Sequence, residues 1–260
     1  MRLRQNNGDV LVSALPRPLR HRRRGRWSTG IGLLGELLLT LGVLLLLFVL
    51  WQLWWTDVLA GRAFTEERQA LQQEWAMPTS TDHAGAGDSR NANPVRPIPG
   101  KAFGLVFIPQ LRDRAWAIPV LEGTDRDTLT KGMGHHEGSA MPGELGNFTL
   151  AGHRTTYGAP LHDIDQLQVG DEVIIQTGRR YSTYTLTNSI IIQPHEGWIL
   201  DPVPGLPADT EPDEALLTMY SCHPKFSAAQ RFVWFGRLTD QRARSAGPPA
   251  ALDEQLLTDP

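Results

Sequence analysis

The 260-residue sequence contains a single cysteine, Cys222, which excludes an intramolecular disulfide. A lone thiol outside the cytoplasm is an intermolecular partner, an inert buried side chain or a reactive group. The sequence also lacks an HExxH pattern and any paired spacing of His and Cys, the usual signatures of zinc sites. His135, His136 and Glu137 are adjacent, and neighbours in sequence rarely chelate one ion. We therefore expect neither a metal nor a cofactor.

Positive charge is scarce outside the first 30 residues. The formal net charge is −3, yet eight arginines precede residue 30 and only Asp9 opposes them: Arg2, Arg4, Arg17, Arg20, Arg22, Arg23, Arg24 and Arg26. The remainder of the chain is therefore acidic. An acidic main domain argues against nucleic acid as a partner.

A single long apolar run, residues 31–55, follows these arginines, and Glu36 is its one charged residue. As a helix it would span roughly 37 Å, enough for a bilayer core. Trp51, Trp54 and Trp55 form an aromatic belt at its far end. We predict a single-pass transmembrane helix, with residues 1–30 as a cytoplasmic tail and everything after Trp55 outside the cell.

Beyond the membrane, residues 56–102 indicate a helix over 57–75 and then a linker rich in Pro, Gly and Ser. Residues 103–240 form the predicted folded domain, and 241–260 a disordered tail. The domain is mainly β, because short apolar runs alternate with turn residues: 103–108, 115–120, 147–152, 172–177, 183–192, 214–220 and 232–238. Residues 178–180 predict a hairpin turn, and 125–133 and 160–167 short helices. Many short strands favour a closed or nearly closed antiparallel barrel.

Cys222 lies at the end of a predicted strand, because Pro224 lacks the N–H that a ladder needs. The next strand begins at Arg231. If the two strands pair as a hairpin, Arg231 lies beside Cys222, where a guanidinium favours the thiolate and can bind an oxyanion. A surface arginine at the end of a hairpin is the alternative that spacing alone leaves open.

A thiol nucleophile needs a proton acceptor, normally a histidine. His223 is adjacent to Cys222, but a residue before proline is extended, and neighbours in extended chain point to opposite faces. His153 follows the predicted strand 147–152 and comes directly after Gly152. It is the better candidate, although an ordinary surface histidine has the same pattern.

The order His153, Cys222, Arg231 resembles the sortase family. Residues 218–222 (TMYSC) are similar to the family's T-L-x-T-C strand end, and residues 134–162 and 222–231 are most similar to class E sortases of high-GC Gram-positive bacteria. The resemblance spans about residues 103–238. It departs from the family pattern at Met219, which replaces Leu, and at Ser221, which replaces Thr.

The resemblance implies an eight-stranded sortase β-barrel with His153, Cys222 and Arg231 as catalytic residues, without a cofactor. It further implies that a secreted protein with a C-terminal Leu-Pro-x-Thr-Gly or Leu-Ala-x-Thr-Gly signal is cleaved through a thioester on Cys222. The acceptor is then an amine of a peptidoglycan precursor of the lipid II type. We also predict that Tyr220 and Ser221, beside the nucleophile, contact substrate.

Three other functions remain as alternatives. A pilin-polymerising sortase would differ only in using a lysine of another protein as acceptor. An L,D-transpeptidase would have His-Gly before its cysteine, where this chain has Tyr220 and Ser221. A membrane-tethered β-barrel that only binds wall peptides would need neither a thiol at the rim nor a histidine near it.

Overall fold

The computed structural model describes residues 26–77 and 97–252. The predicted cytoplasmic tail therefore lies outside the described residues, apart from 26–30. Most of the predicted linker and the last eight residues also lie outside them.

Helix α1 runs from Arg26 to Ala76 without interruption. Of the described helices, only this one is long and apolar enough to cross a membrane by length and composition. The sequence predicts two helices here, 31–55 and 57–75. They are one because Thr56 is neither proline nor glycine, so nothing at the junction breaks the backbone hydrogen bonds.

The second half of α1 packs against the folded domain. Ala60 and Leu71 are each only 2% exposed, whereas Leu59, directly before Ala60, is 44% exposed. The contact residues Asp57, Ala60, Phe64, Leu71 and Trp75 recur at helical spacing, so they share one face. This face of the helix is therefore part of the protein core.

Each part of that face has its own partner. The Asp57 carboxylate accepts a hydrogen bond from the Gly158 N–H at 3.0 Å. Phe64 lies over Gly158, where a Cβ would come within 2.9 Å of the ring, so only glycine fits. Leu71 joins a buried apolar cluster with five other residues: Leu105, Phe107, Ile174, Tyr181 and Leu252.

The domain is a closed barrel of eight strands in the order β1-β2-β3-β4-β7-β8-β6-β5. The strands are β1 (Ala102–Phe107), β2 (Ile118–Glu122), β3 (Met133–His135), β4 (Gly146–Ala151), β5 (Glu172–Thr177), β6 (Arg180–Ile192), β7 (Ala215–His223) and β8 (Gln230–Ala243). This confirms the predicted eight-stranded barrel and its hairpin turn between β5 and β6.

The barrel is not wholly antiparallel. The pairs β2–β3 and β4–β7 are parallel. Parallel neighbours need a crossover connection, which short helix α2 (Arg126–Leu129) supplies between β2 and β3, and which β5 and β6 supply between β4 and β7. The prediction of an antiparallel barrel is therefore wrong at these two pairs.

The barrel interior is filled by large apolar side chains, and its most deeply buried members come from several strands: Val106, Val120, Met133, Phe148, Leu150, Ile175, Tyr184, Leu217 and Met219. The rings of Phe148 and Tyr184 stack at 6.1 Å between centroids. The short apolar runs that predicted the strands thus supply many of the side chains that fill the interior.

Three local predictions are wrong. Strand β3 was missed, because three residues are too few to show alternation and the predicted helix 125–133 ran into it. Only residues 126–129 of that helix and a 3₁₀ turn at Ile164–Gln166 of the next are helical. The tail predicted as disordered is ordered to residue 252, since β8 continues to Ala243 and Leu252 is fully buried against Leu71.

We predict that Leu71→Ala destabilises the barrel, although residue 71 lies in the helix that leads from the membrane. Removing a fully buried leucine side chain costs about 2 to 4 kcal/mol. Leu59→Ala is the matched control, because Leu59 is exposed on the same helix, and its cost should stay within about 0.5 kcal/mol. Denaturant unfolding of the detergent-solubilised chain measures both values, and equal losses would contradict the packing described above.

Candidate active site

The site is built where β4 and β7 end. These strands are parallel, with Ala151 opposite Tyr220, so their carboxyl ends lie at the same edge of the barrel. The Gly152 N–H donates to the Tyr220 carbonyl at 3.2 Å and extends the pairing by one residue. His153 follows Gly152 directly, and Cys222 is the last residue but one of β7. The topology therefore brings the two residues to the same edge of the barrel.

Gly152 allows this close approach. A Cβ at position 152 would lie 2.9 Å from Leu161 Cδ1, closer than real Cβ contacts. The Leu161 N–H also donates to the His153 carbonyl at 3.1 Å, so the chain after β4 folds back over its own strand end. A larger residue at 152 would displace that turn, and His153 with it.

Arg231 reaches the same edge from β8. Strands β7 and β8 pair antiparallel with Cys222 directly opposite Arg231, so the two side chains share one face. This confirms the hairpin and the register that the spacing predicts. Arg231 Nη1 donates to the carbonyls of Ala228 at 3.1 Å and Gln230 at 2.9 Å, which holds the guanidinium near the strand start.

One cleft of about 300 Å³ is lined by His153, Cys222 and Arg231 together. Its other walls are largely apolar and include Leu129, Ala151, Ile192, Ile199, Leu200 and Tyr220. Cys222 itself is a half-buried free thiol. The three residues predicted as catalytic therefore meet in a cleft with space for a short apolar peptide.

The ring of His153 is half-buried beside the cleft, and its Nε2 makes no hydrogen bond within the described residues. That Nε2 atom is itself buried. The ring packs against Tyr157 at 5.1 Å between centroids. Burial lowers the pKa of His153, and the nearby Arg126 guanidinium lowers it further, so the neutral ring is favoured.

Tyr220 and Ser221 differ in what they offer a substrate. Tyr220 lines the cleft, and burial raises its pKa, with Arg231 acting in the opposite direction. Ser221 also lines the cleft, but its side chain is buried and its hydroxyl donates to the Gly152 carbonyl at 2.7 Å. That bond joins the ends of β4 and β7 and gives Ser221 a structural role. Its contact with substrate stays a prediction.

His135 and His223 make hydrogen bonds elsewhere and do not line the cleft. His223 turns away from Cys222, as predicted, and its Nδ1 lies 2.8 Å from Arg154 Nη1. His135 is buried in the barrel, where its ring nitrogens contact Glu122 at 2.6 Å and Ser139 at 2.8 Å. Within residues 26–77 and 97–252, no three His, Cys, Asp or Glu side chains are grouped as metal ligands would be.

Arg154 is the residue near the site that its sequence pattern did not indicate. An arginine directly after a strand is usually exposed, yet Arg154 is only 2% exposed. Its Nη1 contacts the backbone carbonyl of Cys222 at 3.3 Å. The one available signal was its position directly after His153.

Comparison with known proteins decides the family. The model of the sortase domain matches residues 106–239, just over half of the chain, from the end of β1 through most of β8. The chain belongs to the sortase family. Its matched region contains His153, Cys222 and Arg231, which extends the resemblance from short motifs to the whole domain.

Relatives place this sortase near class E. This chain is 34% identical to sortase SrtE1 of Streptomyces coelicolor, and the aligned region covers 91% of this chain. The chain spans 65% of the length of that relative. Among solved structures, sortase E of Streptomyces avermitilis is 37% identical with a TM-score of 0.53, covering 60% of this chain and 99% of its own.

Another solved structure has an occupied active site. Sortase E1 of Streptomyces coelicolor, solved with a tripeptide in the active site, is 32% identical with a TM-score of 0.54. It covers 60% of this chain and 99% of its own. These similarities make the chain a class E-like sortase.

We predict that Arg126→Gln raises the pKa of His153, because it removes a nearby positive charge and leaves the burial intact. The neutral ring would then give way to imidazolium at a higher pH, though still below the ordinary value. NMR titration of the ring in a Cys222→Ala background measures this without a coupled thiol. Arg126→Lys keeps the charge and should leave the pKa unchanged; an unchanged pKa in the Gln variant would contradict the electrostatic assignment.

Proposed function

We propose that this sortase is a membrane-anchored cysteine transpeptidase. It cleaves a C-terminal signal of the Leu-Ala-x-Thr-Gly or Leu-Pro-x-Thr-Gly type between Thr and Gly, and it transfers the protein to an amine of a peptidoglycan precursor. One observation carries the proposal: His153, Cys222 and Arg231 line a single cleft, with Cys222 and Arg231 opposed in the β-ladder.

In the first half of the reaction, the sulfur of Cys222 attacks the Thr carbonyl carbon. The carbonyl oxygen becomes an oxyanion, and Arg231 stabilises it by donating hydrogen bonds. The C–N bond then breaks, leaving a thioester on Cys222. The Cys222–His153 pair holds one proton at the start, and that proton leaves on the glycine amine through His153.

In the second half, an acceptor amine attacks the thioester carbonyl. His153 takes the proton that the amine loses, and Arg231 again stabilises the oxyanion. The C–S bond breaks, the new amide forms, and the proton returns to the Cys222–His153 pair. No atom or electron is left over, so one turnover regenerates the starting site.

The geometry supports these roles. Arg231 uses Nη1 to hold the loop carbonyls of Ala228 and Gln230, and its Nε and Nη2 donate to no other described residue. Those two nitrogens form an edge that suits an oxyanion. The unpartnered Nε2 of His153 likewise has no competing bond within the described part of the chain. Arg231 thus keeps two donors for a ligand, and no bond within the described residues competes for His153 Nε2.

The shape of the cleft supports a peptide as its occupant. Apolar side chains at Leu129, Ile192, Ile199 and Leu200 suit the Leu and Ala or Pro positions of the signal. The solved Streptomyces coelicolor sortase E1 holds a tripeptide in its active site. We infer that the Thr carbonyl lies over Cys222 and that the residues before it contact the apolar wall.

The proposed location is the outer face of the cell membrane. The apolar part of α1 is long enough to span the bilayer, and the arginines before residue 30 favour a cytoplasmic N-terminus. The barrel then lies outside, where secreted proteins and wall precursors are available. This orientation is consistent with a lone, unpaired cysteine acting as a nucleophile.

We expect Cys222→Ala to lose thioester formation while the barrel stays folded. Cys222 is half-buried at a strand end, so the smaller side chain leaves no large cavity. Mass spectrometry of the enzyme with a sorting-signal peptide should show an acyl adduct on the unmodified chain alone. An adduct that persists in the alanine variant would rule out Cys222 as the nucleophile.

We expect Arg231→Lys to lower kcat/KM for peptide cleavage by about 100-fold or more, since a point charge cannot reproduce the planar fork at an oxyanion. Arg237→Lys is the matched control. Arg237 lies on the same strand and pairs with Glu214 at 3.2 Å, away from the cleft. Near-normal turnover in Arg231→Lys, or equal losses in both variants, would refute the oxyanion role.

A further inference from the structure

A buried guanidinium lies behind the catalytic cleft. Arg154 follows His153 directly and is 2% exposed, although burying an arginine is costly unless its charge and its N–H groups are satisfied. It does not line the cleft, so it does not contact a bound peptide there. Its burial therefore requires another explanation.

The guanidinium joins segments that are far apart in sequence. Nη1 donates to the Cys222 carbonyl at 3.3 Å and to His223 Nδ1 at 2.8 Å. Nη2 forms an ion pair with Asp165 at 2.9 Å. One side chain thus ties the end of β7 to the loop that follows His153.

Two hydrogen bonds link Arg154 to His162 in the same loop, one donated by each residue. Arg154 Nε donates to the His162 carbonyl at 3.4 Å, and His162 Nδ1 donates to the Arg154 carbonyl at 2.8 Å. Close by, Lys225 pairs with Asp163 at 2.8 Å and makes a second link between the two segments. The two chain ends that carry the base and the nucleophile are therefore held together on their buried side.

The same guanidinium also engages His223. Arginine has no acceptor, so in the 2.8 Å contact Arg154 donates and His223 Nδ1 accepts. The histidine nearest to Cys222 in sequence is occupied by this bond on the face opposite the thiol.

We propose that Arg154 is a positioning residue for the transpeptidation. It fixes the backbone of Cys222 relative to His153, and it keeps His223 from serving as a second proton acceptor. This rests on the proposed function and adds a residue to it. Lysine could keep the ion pair with Asp165 but not the fork that reaches the Cys222 carbonyl and His223 together.

The test compares Arg154→Lys and Arg154→Met in the full chain with Arg237→Met as control. The folded fraction is measured by circular dichroism at the assay temperature. Per folded molecule, we expect kcat to fall about 10- to 100-fold, the range for a reacting group displaced by up to about 1 Å, with KM within about twofold. A role in stability alone would lower the melting temperature and the folded fraction, and leave kcat per folded molecule unchanged.

Two further measurements do not depend on a sorting signal. The alkylation rate of Cys222 by iodoacetamide should change in both Arg154 variants, and ¹⁵N NMR should show that His223 Nδ1 loses its hydrogen-bonded acceptor signature. These report on positioning even if the peptide forms no adduct with the unmodified enzyme, an outcome that would overturn the proposed function alone. The role of Arg154 would be overturned if kcat per folded molecule, the alkylation rate of Cys222 and the His223 signal were all unchanged.

Where Arg154→Met does not fold, Asp165→Asn provides a milder change. Asp165 is 41% exposed, and the asparagine keeps its shape while removing the charge that holds Nη2. The guanidinium then loses the partner that holds Nη2, which loosens its bonds to the Cys222 carbonyl and to His223. A decrease of kcat in the same direction as in Arg154→Lys supports positioning, and a kcat equal to that of the unmodified enzyme counts against it.

Discussion

Strands β4 and β7 are distant in sequence and run parallel in the barrel, with Ala151 opposite Tyr220. Parallel neighbours end at the same edge, so His153, two residues after β4, and Cys222, the last residue but one of β7, arrive there without a dedicated loop. Strand β8 starts at that edge in the opposite direction and places Arg231 across from Cys222. Every role assigned to the site depends on this pairing. A register slip of one residue in β7 would turn the Cys222 side chain to the other face of the sheet and put the Ser221 side chain in its place.

Two arginines act on opposite sides of this strand end. Arg154 is buried, and partners in two segments, the loop after His153 and the end of β7, satisfy its donors. Arg231 is half-buried and keeps two nitrogens for a ligand. The difference fits the cost of burying charge: a guanidinium proposed to bind an oxyanion stays near water, whereas one proposed only to hold backbone is enclosed once its bonds are complete.

The local pattern of the sequence predicted the Cys222–Arg231 pair well, because the proline after β7 and the short hairpin determine which residues oppose each other. His153 was different. Nothing in its surroundings separates it from a surface histidine, and its place depends on the β4–β7 pairing, which spacing does not reveal. Only the resemblance to sortases identified it. Strand β3 and the contacts of Arg154 could not be predicted either, since the first is too short for a period and the second arises from tertiary folding.

The end of the chain shows the same limit. Residues 241–252 are polar and rich in Ala and Pro, which favours disorder, yet Leu252 is fully buried against a residue of α1. A local composition cannot report a partner that lies about 180 residues earlier. The missed parallel pairs have the same origin, because strand direction depends on crossovers that join distant segments.

The packing of α1 on the barrel has a practical consequence for handling the catalytic domain. A shortened version that begins at β1 would lose Leu71 and Trp75 and expose the side chains beneath them to water, among them Leu105, Phe107, Ile174 and Tyr181. Contiguous apolar surface of this kind promotes self-association. A soluble fragment for crystallisation or ligation should therefore keep α1 from Asp57 onward, and it should extend to Leu252 at its other end.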